Sequence, residues 1–91
     1  MYNIYVKRKK ENEREYMRVR EIPKNLFTTA SCIWDHETDE LLAGPDYMEF
    51  SPSHLEKYGN LMVRYMEHDI RQNGDGELEA YFDVYVKRGD R

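Results

Sequence analysis

Cysteine is nearly absent from this chain. Its single copy, Cys32, allows no internal disulfide and fits a reducing compartment. Long apolar runs are missing too. No stretch approaches the ~20 residues that cross a bilayer as a helix, and the opening MYNIYVKRKK has no signal-peptide core. A soluble, cytoplasmic protein without a membrane partner is the expectation. An excess of positive charge is also lacking: 14 Lys and Arg stand against 18 Asp and Glu, for a net charge of −4. That balance argues against duplex DNA as the main partner, because phosphate neutralisation dominates such binding.

The absences extend to chemistry. No glycine-rich loop leads from a strand into a helix, so no phosphate cradle is built; Gly74 and Gly76 follow the helical stretch instead. No His/Cys spacing makes a zinc site. The run Asp69 to Ala80 has the outline of a calcium loop but carries Arg71 at a ligand position and Ala80 where a bidentate glutamate belongs. Cys32 has no histidine at a spacing that implies a pair, and it falls in a strand, as a buried inert thiol would. Asp35, His36 and Glu37 are adjacent, and adjacent strand residues point to opposite faces. Neither catalysis nor a cofactor or metal is expected.

What is present is a chain 40% hydrophobic and 35% charged, long enough for a single domain over residues 1–91. Its clearest feature is Ser51 to Gly74, whose spacing predicts one long amphipathic helix. Ser51 or Ser53 supplies the N-cap, Pro52 the first helical position, and Ser53 with Glu56 the capping-box spacing. Leu55, Tyr58, Met62, Tyr65, Met66 and Ile70 fall on one side at about 100° per residue. Glu67 and Arg71 are spaced as an i,i+4 pair, and Asn73-Gly74 offers a left-handed exit. Asp69 falls in the apolar stripe. It is expected to be wet beyond the sheet edge or, if buried, satisfied by a partner such as Arg20 or a backbone amide.

The rest reads as strand. Tyr2 to Lys7 alternates; Lys9 to Glu13 is a polar loop; Arg14 to Ile22 alternates again, with Met17 and Val19 inward, until Pro23 interrupts. Phe27 to Trp34 is a third strand of open register: either Ala30, Cys32 and Trp34 or Phe27 and Ile33 face the core. Asp35 to Glu40 reads as a turn with Asp39 in a left-handed conformation. A fourth strand starts at Leu41, breaks at Gly44-Pro45 and resumes through Tyr47 to Phe50. Glu77 to Arg88 is the last, with Leu78, Ala80, Phe82, Val84 and Val86 on one face. The expected fold is therefore α+β, β-β-β-β-α-β: a four- to five-stranded antiparallel sheet, order 5-1-2-3-4, with one long helix packed on one face.

Two surfaces stand out. Tyr5, Lys7, Tyr16, Arg18, Arg20, Tyr81, Tyr85 and Lys87 are expected on the outward sheet face, where aromatics and cations can stack bases and track phosphates, or anchor a protein. Glu79 and Asp83 share that face, and tyrosine is in any case a good strand residue. The hairpin acids Asp35, Glu37, Asp39 and Glu40 could meet a basic partner or only keep a turn hydrated. Size, acidity and the want of catalytic residues point to a non-enzymatic protein-binding module, an inhibitor or adaptor of the kind phages and other mobile elements carry. Single-stranded nucleic-acid binding through the sheet face is the alternative, and a self-associating dimer a third reading.

Overall fold

The computed structural model describes residues 17–88 in full and the backbone of residues 2–5. Strand β1 (Tyr2–Tyr5) comes first, then two 3-10 turns, Val19–Glu21 and Lys24–Leu26. They are followed by β2 (Ala30–Asp35), β3 (Leu41–Tyr47), helix α1 (Pro52–Tyr58), β4 (Met62–Gln72) and β5 (Leu78–Lys87). The strands form one sheet in the order β1-β4-β5-β2-β3. The fold is α+β, as expected. The sheet, however, is mixed: β2 and β5 run parallel at its centre, while the other pairs are antiparallel.

The long helix is the main correction. Ser51 does cap α1, its Oγ accepting the His54 N–H at 3.3 Å, and Pro52 takes the first helical position. The helix then stops after seven residues at Tyr58. Two arginines bind at its end. Arg20 Nη2 donates to the Leu55 carbonyl (3.3 Å) and Nε to Asn60 Oδ1 (2.9 Å), while Arg18 Nη1 donates to the Asn60 carbonyl (2.8 Å). The Leu55 carbonyl, which also accepts the Gly59 N–H at 2.8 Å, and the Asn60 carbonyl just beyond the helix thus gain cationic donors at the negative end of the helix dipole. A Cβ on Gly59 would collide first with the Leu55 carbonyl oxygen and then with Arg20 Nη2, so the close backbone approach at this position calls for glycine.

Residues Met62 to Gln72 are strand, not helix, and hairpin onto β5. Asn73 makes the turn: its N–H donates to Glu77 O (2.8 Å), and its Oδ1 accepts from Asp75 N (2.8 Å) and Glu77 N (3.1 Å). Asn-Gly and Asp-Gly serve here as hairpin chemistry. A bulge between Val63 and Tyr65 explains the misleading period. It inserts Arg64, so that Val63 and Met66, three apart, both face the core. Met66 and Ile70, four apart, share a side in a helix or a strand alike, whereas Met62, before the bulge, pairs with Lys87 on the opposite face.

Arg14 to Ile22 is not a strand where described; only Arg18 bridges to Met62 before the first 3-10 turn. The third strand takes the register with Ile33 in the core, and Phe27 packs edge-on against Phe82 (5.2 Å) and Phe50 (5.3 Å). β3 is one strand, Leu41–Tyr47, ending short of Phe50, but its pairing with β2 shifts register across Gly44-Pro45, where the break was expected. Gly44 has φ +101°, and a Cβ on it would lie 2.4 Å from the Ser31 carbonyl oxygen, so the close approach of β3 to β2 requires glycine. Asp39 holds φ 62°, as read.

All of this packs one face. Phe82, Val84 and Val86 of β5, with Ile33, Val63 and Met66, form the core. Val19, Ile22 and Phe50 cover it, with Leu55 and Tyr58 of α1 at its margin. His68 stacks on Phe82 at 4.8 Å, and its Nε2 lies 2.7 Å from the Leu26 carbonyl, an acceptor that fixes the proton on Nε2.

Candidate functional site

Paired residues of neighbouring strands share a face, so the register fixes what stands opposite the core. Trp34 pairs with Tyr85, and Tyr85 with Tyr65, placing three aromatic side chains in a row across β2, β5 and β4. The Tyr65 and Tyr85 ring centroids are 4.5 Å apart at 8° between planes; Trp34 and Tyr85 are 6.1 Å apart at 17°. Two coplanar rings would collide at 4.5 Å, so these rings lie face to face, about one strand spacing apart. They stand on edge as a ridge rather than flat as a platform.

The ridge is held from below. Asp83, 1% exposed, accepts the Trp34 Nε1–H at 2.9 Å through Oδ1 and pairs through Oδ2 with Arg71 Nη2. Arg71 also reaches Asp69 Oδ2 through Nε at 3.3 Å, and its guanidinium carbon lies 4.4 Å over the Tyr81 ring. A buried carboxylate is tolerable only when paired and hydrogen-bonded, and Asp83 is both. Asp69 is thus a half-buried strand residue paired with Arg71, not with Arg20, and the expected Glu67–Arg71 pair gives way to this network. Burial pushes the Tyr85 phenol up to about 12, reinforced by Tyr65, Glu67 and Asp39 and opposed by Arg71. Burial likewise raises the pKa of the Cys32 thiol, which sits beside Asp83 in the register.

The acidic turn adjoins one end of this ridge. His36 meets the Tyr65 ring edge-on at 5.6 Å. Asp35 itself is interior: it is 4% exposed, and its Oδ1 accepts the N–H groups of Glu37 (2.8 Å) and Thr38 (3.2 Å). The Glu37 amide lowers its pKa most, with Thr38, Arg88 and His36 adding to the effect against the opposing pull of burial. Arg88 Nε pairs with Asp35 at 3.2 Å and Nη2 with Glu40 at 3.7 Å. Asp35 is therefore a turn-building residue rather than a docking acid, and Glu40 is already paired. Glu37 and Asp39 stay exposed.

Of the residues expected on the outward face, Tyr81, Tyr85 and Lys87 are there. Arg18 and Arg20 do not join them; they donate to Asn60 and Leu55 at the end of α1, with Arg18 opposite Met62 at the sheet margin. Tyr5 pairs with Tyr65 along the backbone, and Lys7 and Tyr16 lie outside the described residues. The reading from sequence missed Trp34, Tyr65, Glu67 and Arg71. Trp34 was legible in one of the two registers of its strand; the other three were hidden inside a supposed helix.

A second cluster lies at the start of α1. Asp46 Oδ2 accepts from the Ser51 N–H (3.0 Å) and lies 2.7 Å from His54 Nδ1, beside a groove lined by Leu41 to Pro45. It ties β3 to the helix. Ser51 Oγ accepts the His54 amide N–H and lies 3.3 Å from Ser53 Oγ. Among the described residues no group of three His, Cys, Asp or Glu is placed to hold a metal ion, and no helix is long and apolar enough to cross a membrane. No family model, curated protein or solved structure matches this chain.

Proposed function

We propose that this protein is a non-enzymatic binding module, an inhibitor or adaptor, that docks another protein on the face carrying Trp34, Tyr85 and Tyr65. The observation that supports this is the stacked ridge itself. Rings locked against one another, with the indole pinned by Asp83, offer large contact area at little further cost in side-chain entropy. Their mutual stacking commits the ring faces and turns edges and hydroxyls outward. Nucleobases need an open ring face to stack on, which weakens the single-strand reading. So does charge. Arg18 and Arg20 serve the helix, Arg71 serves Asp83, and Glu67 and Glu79 remain on the face to repel phosphate.

The test is affinity capture from lysate of the native host, with and without nuclease, using the wild-type chain beside Trp34→Ala and Tyr85→Ala. A protein retained despite nuclease and lost with either variant is the expected result. Material lost on nuclease treatment would move the reading to nucleic acid. A bait that returns only its own copies, with a mass that rises with concentration, would move it to self-association.

A further inference from the structure

The docking reading leaves the chemistry of the partner open, and the charges around the ridge narrow it. Glu67 lies next to Tyr65 on the same face of β4 and raises the Tyr85 pKa from close by. Glu37 and Asp39 flank the ridge on the turn, Asp39 near enough to act on the same phenol. None of the three makes an ion pair among the described residues. Among the described residues, three cations of this region are committed or peripheral: Arg71 to Asp83 and Asp69, Arg88 to Asp35 and Glu40, and Lys87 at the margin opposite Met62.

The molecule also shows how such a surface holds a guanidinium. Arg71 lies over the Tyr81 ring while reaching two carboxylates, and Arg88 bridges two carboxylates at the turn. A planar fork suits this double demand, aromatic contact together with carboxylate pairing, better than an ammonium does. Resting on the docking reading above, we propose that the occupant of this face is a basic, arginine-bearing segment of a partner protein. Its guanidinium groups pair with Glu67, Glu37 and Asp39, and its side-chain methylenes lie along the ring edges of Trp34 and Tyr85.

Trp34 is the single tryptophan of the chain and reports on its own site. The full chain is titrated with short blocked repeat peptides of Arg-Gly, Lys-Gly and Gln-Gly and with oligothymidylate, following Trp34 emission. The Arg-Gly peptide is expected to shift the emission saturably, more tightly than Lys-Gly, with Gln-Gly inert and the affinity falling as salt rises. Glu67→Gln, which leaves the core and the ridge rings intact, should weaken that binding about threefold to fivefold, the worth of one partly exposed ion pair. An unchanged melting temperature excludes a folding defect. Equal response to Arg-Gly and Gln-Gly would overturn the basic partner and keep the docking face. Equal affinity for Arg-Gly and Lys-Gly would overturn the preference for arginine. Response to oligothymidylate alone would overturn both the basic partner and protein docking. No response to any probe would overturn the arginine segment, while Trp34-dependent capture from lysate would still uphold the docking face.

Discussion

Along β5, Phe82, Val84 and Val86 point to one side of the sheet and Tyr81, Asp83 and Tyr85 to the other, yet Asp83 at 1% exposed is as deeply buried as its apolar neighbours. The two sides reach the same burial by different means. On the core side the hydrophobic effect and close packing suffice, and any atom of the right shape would serve. On the ridge side each buried polar atom needs a named partner: Trp34 Nε1 needs Asp83 Oδ1, Arg71 needs Asp83 and Asp69, and Tyr81 gives the guanidinium a ring to lie on. The lesson is that burial alone does not identify a core. The core side tolerates substitution in proportion to volume, whereas the ridge side fails when one member of the network is lost.

That contrast can be broken most forcefully from the core. Phe82→Ala should cost about 3–5 kcal/mol in denaturant unfolding, through lost transfer energy and the cavity left beneath Phe27 and His68. A cost of about 1 kcal/mol would mean that the site collapses and that the two sides are less different than they look. Asp83→Ala is next, at about 3 kcal/mol, because it strands the Arg71 charge and the Trp34 donor. The sharper version replaces both partners: Asp83→Leu with Arg71→Met should recover most of that loss, since an apolar pair of similar volume needs no partner. Failure to recover would show that the network also positions something the apolar pair cannot.

The smallest effect is one of pH. Because Tyr85 titrates at about 12 when folded and near its ordinary 10.0 when unfolded, the unfolded chain releases its proton first. Stability from this group is therefore complete below pH 10.0 and lost as pH rises towards about 12. Tyr85→Phe should flatten that part of the stability curve, and ultraviolet titration of the eight tyrosines should lose its latest step. An unchanged alkaline curve would place the strain elsewhere on the ridge.

The same contrast explains what could be read in advance. β5 alternates without interruption, so its limits and both its faces were legible. The helix start was legible because Ser51 and Pro52 carry local capping chemistry, and so was Asp39, whose left-handed backbone is a local preference of its residue type. β4 was not, because a bulge is invisible to any rule of fixed period, and it converted a strand into a passable helical stripe. Losing β4 meant losing Tyr65, Glu67 and Arg71, and with them the ridge. Arg18 and Arg20 were assigned by alternation to a strand that is instead a bridge and a 3-10 turn, which swings them to the helix end. The parallel pairing of β2 with β5 depends on contacts far apart in the chain, which no window of sequence contains.

That pairing also governs the order in which the domain can be assembled. β5 is the last strand in chain order but sits in the middle of the sheet, between β4 and β2. As the chain emerges from the ribosome, β2 and β3 can form a hairpin early, but the inner edge of β2 stays open until residues 78–87 arrive. Until then the β2–β3 hairpin and the β4 segment have no strand between them, and each exposes an edge able to pair with a neighbouring chain. Closure is a single late event with long loops to draw in, so the domain should fold slowly for its size. Expression at high concentration should favour aggregates that begin from the unoccupied edge of β2.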